Sequence, residues 1–312
     1  MKVRLIDHLQ QIRTFVRVAE CGSFSAVARQ FGTTQSAVSK HIAALESRLG
    51  ASLMSRTTRA LSLTEAGRQY FNDARRLVDE LEEIEARLRS GQAKLSGTLR
   101  VASSVGFGSR VLMPLVKTFL RQHPNVVIEM HLSDAFIDIV ELGMDVSIRL
   151  GELRDSSLVA RRIGEVCRAI VASPDYIAAL PPEIGVPQTP DDLARHNCIL
   201  YTEPVSQGEW EFIGPDGAVV RVSVSGALRT NSSEVIREAA LSGMGICYAP
   251  TWLVADAIKS ARLRILLPNW RSRLVPVHAI RPPQREASLK ATAFIAHLTS
   301  AGWEGALGHA TD

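Results

Sequence analysis

One stretch of the chain, residues 23–50, constrains the fold more than any other, because its pattern predicts two short helices joined by a tight turn. The first helix is predicted from about Ser25 to Phe31, with Ser23 as its N-cap. Gly32-Thr33-Thr34 forms the turn, and a second helix begins at Gln35 with Thr34 as its N-cap. The pattern therefore predicts a helix-turn-helix.

Apolar and polar residues separate onto two faces of the second helix. Val38, Ile42, Leu45 and Leu49 follow one another at steps of four, three and four, and Gly50 ends the helix. The polar face carries Gln35, Ser36, Ser39 and Lys40. Glutamine pairs with the adenine edge, serine suits several bases, and lysine serves guanine or phosphate. The face fits a DNA-recognition helix, but spacing alone leaves open an ordinary amphipathic helix with a solvated side.

A short basic hairpin, or wing, is predicted immediately after this unit, in the sequence LMSRTTRALSLTEAG at residues 53–67. With it, residues 5–67 resemble the winged helix-turn-helix of LysR-type transcriptional regulators. The matching positions are Ser23-Phe24, Ala28, Gln35-Ser36-Ala37-Val38-Ser39, Ile42, Leu45-Glu46, Leu49-Gly50, Leu53, Arg56 and Leu63-Thr64-Glu65-Ala66-Gly67. Met54 and Ser36 depart mildly from the family, which usually has Phe and often Pro there.

The resemblance implies a set of DNA-binding residues. Gln35, Ser36 and Ser39 are expected in the major groove, and Lys40, Arg56 and Arg59 on phosphates or in the minor groove. The complete predicted set is Ser23, Thr34, Gln35, Ser36, Ser39, Lys40, Arg56 and Arg59.

The positive charge of the chain is concentrated in the predicted DNA-binding unit. Residues 1–63 hold nine Lys/Arg and three Asp/Glu, net +6, whereas residues 64–90 hold five and seven, net −2. The remainder holds twenty-two of each, net 0. Since phosphate neutralisation supplies most sequence-independent DNA affinity, this distribution favours DNA binding.

A heptad pattern predicts a long helix over residues 64–90. Its apolar residues alternate steps of four and three: Tyr70, Ala74, Leu77, Leu81, Ile84 and Leu88. Polar flanks and the two-fold symmetry of DNA readers favour a dimer seam, formed by Tyr70, Leu77, Leu81, Ile84 and Leu88. A helix that packs on its own domain is the alternative.

Beyond a predicted hinge at residues 91–97, strands and helices alternate, which predicts α/β units. One of these helices is expected over residues 136–142. Blocks such as Gly97-Thr98-Leu99-Arg100-Val101 and residues 143–149 and 242–246 also resemble LysR-type effector domains. The resemblance implies a periplasmic-binding-protein-like fold. We therefore predict an α/β protein with a helix-rich winged helix-turn-helix (1–63), a dimerisation linker helix (64–90), and an effector domain (98–312). The effector domain is expected to have two α/β subdomains, about 98–160 with 268–300 and about 161–267.

A ligand cleft is predicted where strand ends meet helix starts, because free N–H groups there suit an anion. Ser103-Ser104 follows the first strand of this domain, and Thr230-Asn231-Ser232 opens another helix. The resemblance places both segments at the inter-subdomain cleft. The predicted effector-binding residues are Ser103, Ser104, Arg149, Thr202, Thr230, Asn231 and Ser232. A small carboxylate is the preferred ligand class, and simple helix capping is the alternative role for the Ser, Thr and Asn residues.

Other classes of protein fit the sequence less well. A triad of Ser103, Asp145 and His131 lacks a nucleophile elbow, and no Gly-rich phosphate loop or HExxH motif is present. We therefore expect neither an enzyme nor a cofactor or metal. A solute-binding protein would not account for the basic N-terminal unit. The four cysteines show no zinc spacing and are expected to be reduced, partly buried thiols, and a redox pair of Cys198 and Cys247 is the less favoured alternative.

The sequence thus predicts a transcriptional regulator that stays in the cytoplasm. Its expected partners are double-stranded promoter DNA, a small-molecule effector, further copies of itself in a homodimer or tetramer, and RNA polymerase. Without an apolar run long enough to span a bilayer, no membrane association is expected.

Overall fold

The computed structural model describes residues 2–56, 61–90, 95–135, 137–153, 158–202, 208–283 and 288–300. The chain forms two compact units. The first contains residues 1–98 together with 125–127 and 138–143, and the second contains the rest. None of the helices in the described ranges combines the length and apolar character that a bilayer crossing requires.

The helices and strands follow one another in a clear order. The helices are α1 (Lys2–Cys21), α2 (Phe24–Gln30), α3 (Gln35–Leu49), α4 (Glu65–Ser90), α5 (Val105–Phe107), a π-helical segment (Gly108–Leu112), α6 (Met113–Gln122), α7 (Pro174–Ala178), a 3₁₀ helix (Pro190–Arg195), α8 (Ser233–Leu241), α9 (Thr251–Lys259) and α10 (Leu289–Ser300). The strands are β1 (Met54–Arg56), β2 (Leu61–Leu63), β3 (Gly97–Ser103), β4 (Val126–Leu132), β5 (Val146–Leu150), β6 (Val159–Val166), β7 (Arg168–Ala172), β8 (Cys198–Tyr201), β9 (Glu209–Ile213), β10 (Val219–Ser223), β11 (Arg229–Thr230), β12 (Ile246–Pro250), β13 (Arg264–Leu266) and β14 (Val275–Arg281).

The helix-turn-helix of the first unit matches its prediction, with the first helix shifted by one residue. Ser23 Oγ accepts a hydrogen bond from Ala26 N, and Thr34 Oγ1 accepts one from Ala37 N, so both predicted N-caps are confirmed. Gly50 ends α3 in the left-handed conformation at φ 68°, where glycine has no Cβ penalty.

Two apolar clusters hold the helices of the first unit together. One joins α1 and α3 to α4 through Phe15, Val16, Ile42, Leu45, Leu53, Ala74 and Val78. The other packs α1, α2 and α3 together through Val18, Val27, Ala28 and Val38. The apolar stripe predicted for α3 therefore faces the core through Val38, Ile42 and Leu45, which leaves its polar residues outside.

The second unit is built mainly on two five-stranded sheets, ordered β4-β3-β5-β14-β6 and β11-β8-β12-β7-β13, with a separate β9-β10 hairpin. Strand β6 pairs antiparallel with β14 from Val159 to Val166, so it belongs to the first sheet. The first subdomain therefore extends to Val166, a few residues beyond the boundary predicted at about residue 160. The chain leaves the first sheet after Val166 and enters the second at Arg168, because the pairing with β14 extends along the whole of β6.

The predicted helix over residues 136–142 is wrong, since residues 139–143 form turns and Phe136 lies outside the described residues. Asp138 Oδ1 accepts hydrogen bonds from Val140 N and Glu141 N, at 2.8 and 3.1 Å. Gly143 then turns the backbone at φ 60°. The Asp138 bonds are N-cap bonds, and Leu142 N donates to Asp138 O, so the chain makes a single helical turn between Asp138 and the left-handed Gly143, which is too short for the predicted helix.

Candidate DNA-binding surface and effector site

The polar face of α3 is available for contact with another molecule. Gln35, Ser36 and Lys40 are exposed, and Ser39 is half-buried. These side chains occupy the first turns of the helix, opposite the buried Val38. The structure thus brings four predicted DNA-binding residues onto one solvent-facing surface at the helix start, where recognition helices contact base edges.

Ser23 and Thr34, also predicted as DNA-binding residues, already use their side-chain oxygens within the chain. Ser23 Oγ lies 3.3 Å from Ala26 N and 3.1 Å from Ser25 Oγ, and Thr34 Oγ1 lies 3.2 Å from Ala37 N. Their observed role is to start the two helices and so to orient the residues that follow. Each N-cap of this kind contributes about 1 kcal/mol to the stability of the fold.

A buried polar contact fixes α3 on the first helix. Thr14 is fully buried, and its Oγ1 donates to Gln10 O at 2.6 Å and lies 3.1 Å from His41 Nδ1. His41 follows directly after Lys40, so this contact restrains the end of the exposed polar face. No sequence signal marked this pair, because residues far apart in sequence form it.

The wing is a short antiparallel hairpin in which Met54 pairs with Leu63 and Arg56 with Leu61. Arg56 is thus in strand β1, as the predicted wing requires. The Arg56 side chain and the whole of Arg59 lie outside the described residues. Their proposed phosphate contacts therefore rest on the sequence.

Helix α4 has two apolar faces, and the predicted seam divides between them. Tyr70 and Ala74 face the core of the unit, where the Tyr70 ring lies 5.6 Å from that of Phe15. Burial raises the pKa of Tyr70, while the nearby Arg48 charge opposes that rise. Tyr70 therefore packs partly within its own chain, and its contact with a second copy stays a prediction.

Of the remaining seam residues, Leu77 and Ile84 lie on the outer side of α4. Leu77 is 57% exposed and Ile84 46% exposed, and Leu81 between them is half-buried. The Leu88 side chain lies outside the described part of the structure. Apolar side chains exposed two turns apart on one helix face are costly in water, and they leave a surface available for a partner.

Two of the predicted effector-binding segments meet in the second unit. A Cβ built on Gly106 would lie only 2.6 Å from Ser233 Oγ, so the Ser103-Ser104 segment closely approaches the start of α8. Thr202 joins the same region, because its N–H donates to Thr230 O at 2.9 Å. Neither Ser104 nor Ser232 makes the capping hydrogen bond expected of its position, and Asn231 is exposed. Their side chains are therefore not committed to the helices they precede.

An ion pair links the same two segments. Arg110 Nε and Nη2 donate to the two oxygens of Glu234, at 2.8 and 2.9 Å. Hydrogen bonding by Arg110 lowers the pKa of Glu234, and burial only partly opposes this effect. Nearby, the Phe107 and Trp252 rings meet edge to face with centroids 5.4 Å apart. The ion pair holds the π-helical segment against α8, and the two rings hold α5 against α9.

Three buried polar atoms around this contact have no hydrogen-bond partner among the described residues: Ser103 Oγ, Ser233 Oγ and Trp252 Nε1. Ser233 and Trp252 both contact the position of Gly106, two residues after Ser104. Buried polar atoms in folded proteins are normally paired. Their grouping indicates a place where a polar ligand atom or water completes the hydrogen bonding.

One end of the predicted anion site is already occupied by the chain itself. Val105 N, the first N–H of α5, donates to Asp134 Oδ1 at 2.9 Å. A ligand carboxylate at this N–H would meet the negative charge of Asp134. The sequence did not identify Asp134, because it lies on a loop after a different strand.

Arg149 is not brought to the Ser103 side of the first sheet. Ala102 pairs with Ser147, and since side chains alternate along strands, Arg149 lies on the face opposite to Ser103. Its Nη2 donates to Ile137 O at 3.1 Å. The structure therefore separates Arg149 from the other predicted effector-binding residues.

The residues of the disfavoured triad, Ser103, Asp145 and His131, make no contact with one another among the hydrogen bonds of the described residues. Ser103 Oγ has no partner among the described residues, and Asp145 Oδ2 accepts a hydrogen bond from Arg100 N at 2.8 Å. His131 is exposed on strand β4. Among the described residues there is no group of three or more His, Cys, Asp or Glu arranged to hold a metal ion.

Cys198 and Cys247 lie on neighbouring strands but point to opposite faces of the second sheet. Cys198 pairs with Ile246, so the next residue, Cys247, faces the other way. Burial raises the pKa of both thiols to about 12. The thiolate is the reactive form of cysteine, so burial keeps both side chains in the unreactive thiol form, as the sequence predicts for reduced, buried cysteines.

The Arg110–Glu234 pair gives a testable pH dependence. Because the pKa of Glu234 is lowered in the folded state, its contribution to stability is present above the ordinary carboxyl pKa of 4.5. That contribution is lost as pH falls through the lower folded pKa. We expect Glu234→Gln to lower the urea midpoint at pH 7, measured by tryptophan fluorescence, and the difference from wild type to shrink at about pH 3. Glu183→Gln, at an exposed position of this unit, controls for carboxylate loss, and an equal difference at both pH values would contradict the expectation.

Fold and site together define a class of protein: a winged helix-turn-helix unit with an exposed recognition helix, followed by a two-sheet α/β ligand-binding unit. Residues 9–68 match the family described as bacterial regulatory helix-turn-helix protein, lysR family. Residues 92–303 match the LysR substrate binding domain. The chain therefore belongs to the LysR family of DNA-binding transcriptional regulators.

Individual relatives agree with this assignment. The chain is 34% identical over 290 residues to the HTH-type transcriptional regulator CrgA of Neisseria meningitidis serogroup C (strain 8013), covering 93% of this chain and 95% of that protein. It is 32% identical over 294 residues to the HTH-type transcriptional activator AaeR of Escherichia coli (strain K12), covering 94% of each.

Solved structures show the same similarity. CrgA from Neisseria meningitidis aligns with a TM-score of 0.55 at 33% identity, covering 93% of this chain and 95% of that one. Full-length AphB, the virulence activator of Vibrio cholerae, also aligns with a TM-score of 0.55, at 27% identity and with 93% and 98% covered.

Proposed function

We propose that two copies of this chain pair through α4, bind a two-fold symmetric promoter site, and change DNA bending and transcription when a small carboxylate binds the effector domain. The observation that carries the DNA-binding part is the exposed polar face of α3, with Gln35, Ser36 and Lys40 in its first turns. The net charge of +6 in residues 1–63 supports it.

Genome-wide footprinting of the purified protein on its source DNA, with a salt titration on the best site, tests this proposal. We expect a protected site with two-fold symmetry beside a promoter, bound far more tightly than scrambled DNA. Equal, weak binding to every sequence would contradict the proposed specificity. If a specific two-fold site is found, the genes beside it indicate candidate effectors.

Gln35 is expected to read a base. Glutamine forms a bidentate pair with adenine that is worth about 1–3 kcal/mol of discrimination, and Gln35 is exposed at the first position of α3. Gln35→Ala should therefore relax base preference at one position in each half-site, which a selection from randomised half-sites measures. Lys40→Ala is the comparison, because a phosphate contact should lower affinity equally for all sequences. Equal losses by Gln35→Ala on specific and scrambled DNA would contradict base reading.

Arg56, which lies on the wing, is expected to contact a DNA phosphate. Each lost phosphate contact reduces the slope of log affinity against log salt by about one. Arg56→Ala should therefore weaken binding to all DNA and flatten that slope, as measured by fluorescence anisotropy. Arg262→Ala, an exposed arginine of the second unit, controls for net charge. An unchanged slope would remove Arg56 from the DNA contacts.

The start of α8 is the proposed effector site. Thr230 Oγ1 accepts a hydrogen bond from Ser232 N at 3.1 Å, and Ser232 makes no side-chain cap bond. The helix is nine residues long, and its N-terminal end favours an anion. Asp134 already occupies the first N–H of α5. A ligand carboxylate is therefore proposed beside Thr230, Asn231 and Ser232, with the rest of the ligand extending toward Ser104 and Thr202.

A thermal-shift screen tests the ligand class. Small carboxylic acids are each compared with the corresponding primary amide at the same concentration, since a ligand that binds the folded state more tightly raises the melting temperature more. Acids but not amides should stabilise the protein, and Ser232→Ala should reduce the effect. Equal stabilisation by acids and amides would contradict the carboxylate proposal.

Effector binding is proposed to act by shifting a conformational equilibrium. A ligand that binds one arrangement of the two sheets better than another stabilises that arrangement by its differential affinity. In a tetramer of two DNA-binding dimers, such a shift would change the DNA bend and the access of RNA polymerase. We propose that this switching takes place in the cytoplasm.

A further inference from the structure

A glutamate in the second half of the recognition helix contacts the base of the wing. Glu46 is half-buried, and its Oε1 accepts hydrogen bonds from Leu53 N at 2.7 Å and from Met54 N at 3.1 Å. Met54 is the first residue of strand β1. One carboxylate oxygen therefore joins α3 directly to the start of the hairpin.

The wing needs an anchor of this kind. Each strand of the hairpin is three residues long, and an isolated two-stranded hairpin is at best marginally stable in water. Leu53 is 2% exposed, so its amide has little access to water if Glu46 is removed. Hydrogen bonds to an ionised acceptor are about twice as strong as neutral ones.

The opposite side of the wing base is held by the start of α4. Thr64 N donates to Leu53 O at 3.0 Å, and Thr64 Oγ1 donates to Ser52 O at 2.7 Å. Gly67 N donates to Thr64 Oγ1 at 2.9 Å. The segment from Ser52 to Met54 is thus fixed between α3 and α4, and Glu46 is its contact on the α3 side.

We infer that Glu46 is a positioning residue that sets the wing against the recognition helix, so that base contacts from Gln35 and phosphate contacts from Arg56 are made together. Glu46 lies on α3 with Gln35, and Arg56 lies on β1, two residues after Met54. Loss of Glu46 releases the wing while α3 keeps its own packing through Ile42 and Leu45. The inference rests on the proposed contact between the wing and DNA phosphates.

The first experiment needs no DNA. Amide hydrogen exchange of the full-length protein compares wild type with Glu46→Ala and Glu46→Gln, because glutamine keeps a carbonyl acceptor at the same place. We expect exchange at Leu53 and Met54 to accelerate about tenfold or more in Glu46→Ala and by a smaller factor in Glu46→Gln, whose neutral carbonyl accepts the same bonds more weakly. Exchange within α3 should not change in either variant. Unchanged exchange at Leu53 and Met54 in Glu46→Ala would overturn the inference.

The second experiment uses the protein's best footprinted site. The Glu46→Ala protein should no longer protect the DNA backbone at the flanks of the site from hydroxyl radicals. Its slope of log affinity against log salt should flatten by about one, while its preference at the base read by Gln35 remains. Glu65→Ala controls for the lost negative charge, since its side chain is 72% exposed. Full flank protection and an unchanged slope in Glu46→Ala would also overturn the inference. If Arg56→Ala itself leaves the flank protection and the salt slope unchanged, the proposed contact between the wing and DNA is wrong. The exchange experiment alone then decides the role of Glu46.

Discussion

Replacing Gly67 with alanine is expected to lower the free energy of unfolding of the first unit by about 1–3 kcal/mol or more. A Cβ at this position would lie 1.9 Å from the Leu53 carbonyl oxygen and 2.8 Å from its carbonyl carbon. The contact is with backbone, so no side-chain rotation relieves it. The same oxygen accepts the hydrogen bond from Thr64 N, so moving it disturbs the joint between wing and linker helix.

The two units allow this prediction to be checked within one molecule. All four tryptophans lie beyond residue 200, at 210, 252, 270 and 303, so their fluorescence follows the second unit. Gly67→Ala should lower the urea midpoint for amide exchange in α1 and α3 and leave the tryptophan transition in place. Ala66→Ser, at the exposed neighbouring position, is the control. Equal urea midpoints for amide exchange in α1 and α3 of Gly67→Ala and Ala66→Ser would contradict the predicted clash.

The features that the sequence predicted well depend on interactions between near neighbours. The side chains of Ser23 and Thr34 each accept a hydrogen bond from the N–H group three positions later and so cap α2 and α3. Gly50 ends α3 in a left-handed conformation. Hydrogen bonds within one turn leave a short signal in the sequence, because only a few residue types make them. The helix-turn-helix was therefore predictable almost residue by residue.

The failures have a different physical origin. The sequence predicts a helix over residues 136–142 because its apolar pattern does not report that Asp138 caps the segment only one turn before the left-handed Gly143. A heptad pattern likewise does not state what each helix face contacts. The Tyr70 ring lies 5.6 Å from that of Phe15, fifty-five positions earlier, so this predicted seam residue also packs within its own chain.

The candidate effector site shows the same limit. Ser104 and Ser232 were predicted from local signals, at the starts of α5 and α8. Arg110 and Glu234 are 124 residues apart in sequence, and only the fold joins them. Asp134 likewise reaches Val105 from a different loop. Such pairs decide the charge of the site, so ligand class is harder to predict from sequence than the position of the cleft.

Replacing Leu77 with aspartate is expected to halve the mass of the protein in solution. Leu77 and Ile84 are 57% and 46% exposed on the outer side of α4, and they are seven residues apart, so they share one helix face. Two-fold pairing through this face would place the two introduced carboxylates close together in an apolar contact. Burying unpaired charges there costs more than the contact provides.

Loss of pairing should affect DNA binding in a specific way. Two linked half-site contacts exceed one by about 10²–10⁴ in affinity, so Leu77→Asp should lose that factor on the complete two-fold site and bind an isolated half-site normally. Sedimentation measures the mass, and anisotropy on the two DNA lengths measures the affinities. Leu274→Asp is the matched control, since Leu274 is 51% exposed in the second unit.

Ile84→Asp provides an independent test of the same face, because its position is two helical turns from Leu77. Both variants should keep the tryptophan transition and the amide protection of α3, which separates loss of pairing from loss of fold. If both variants keep the wild-type mass, the exposed apolar face of α4 is not the dimer contact. Pairing of the DNA-binding units would then have to use another surface. If the mass falls in both and half-site binding persists, the affinity for the two-fold site comes from two α3 helices held together by α4.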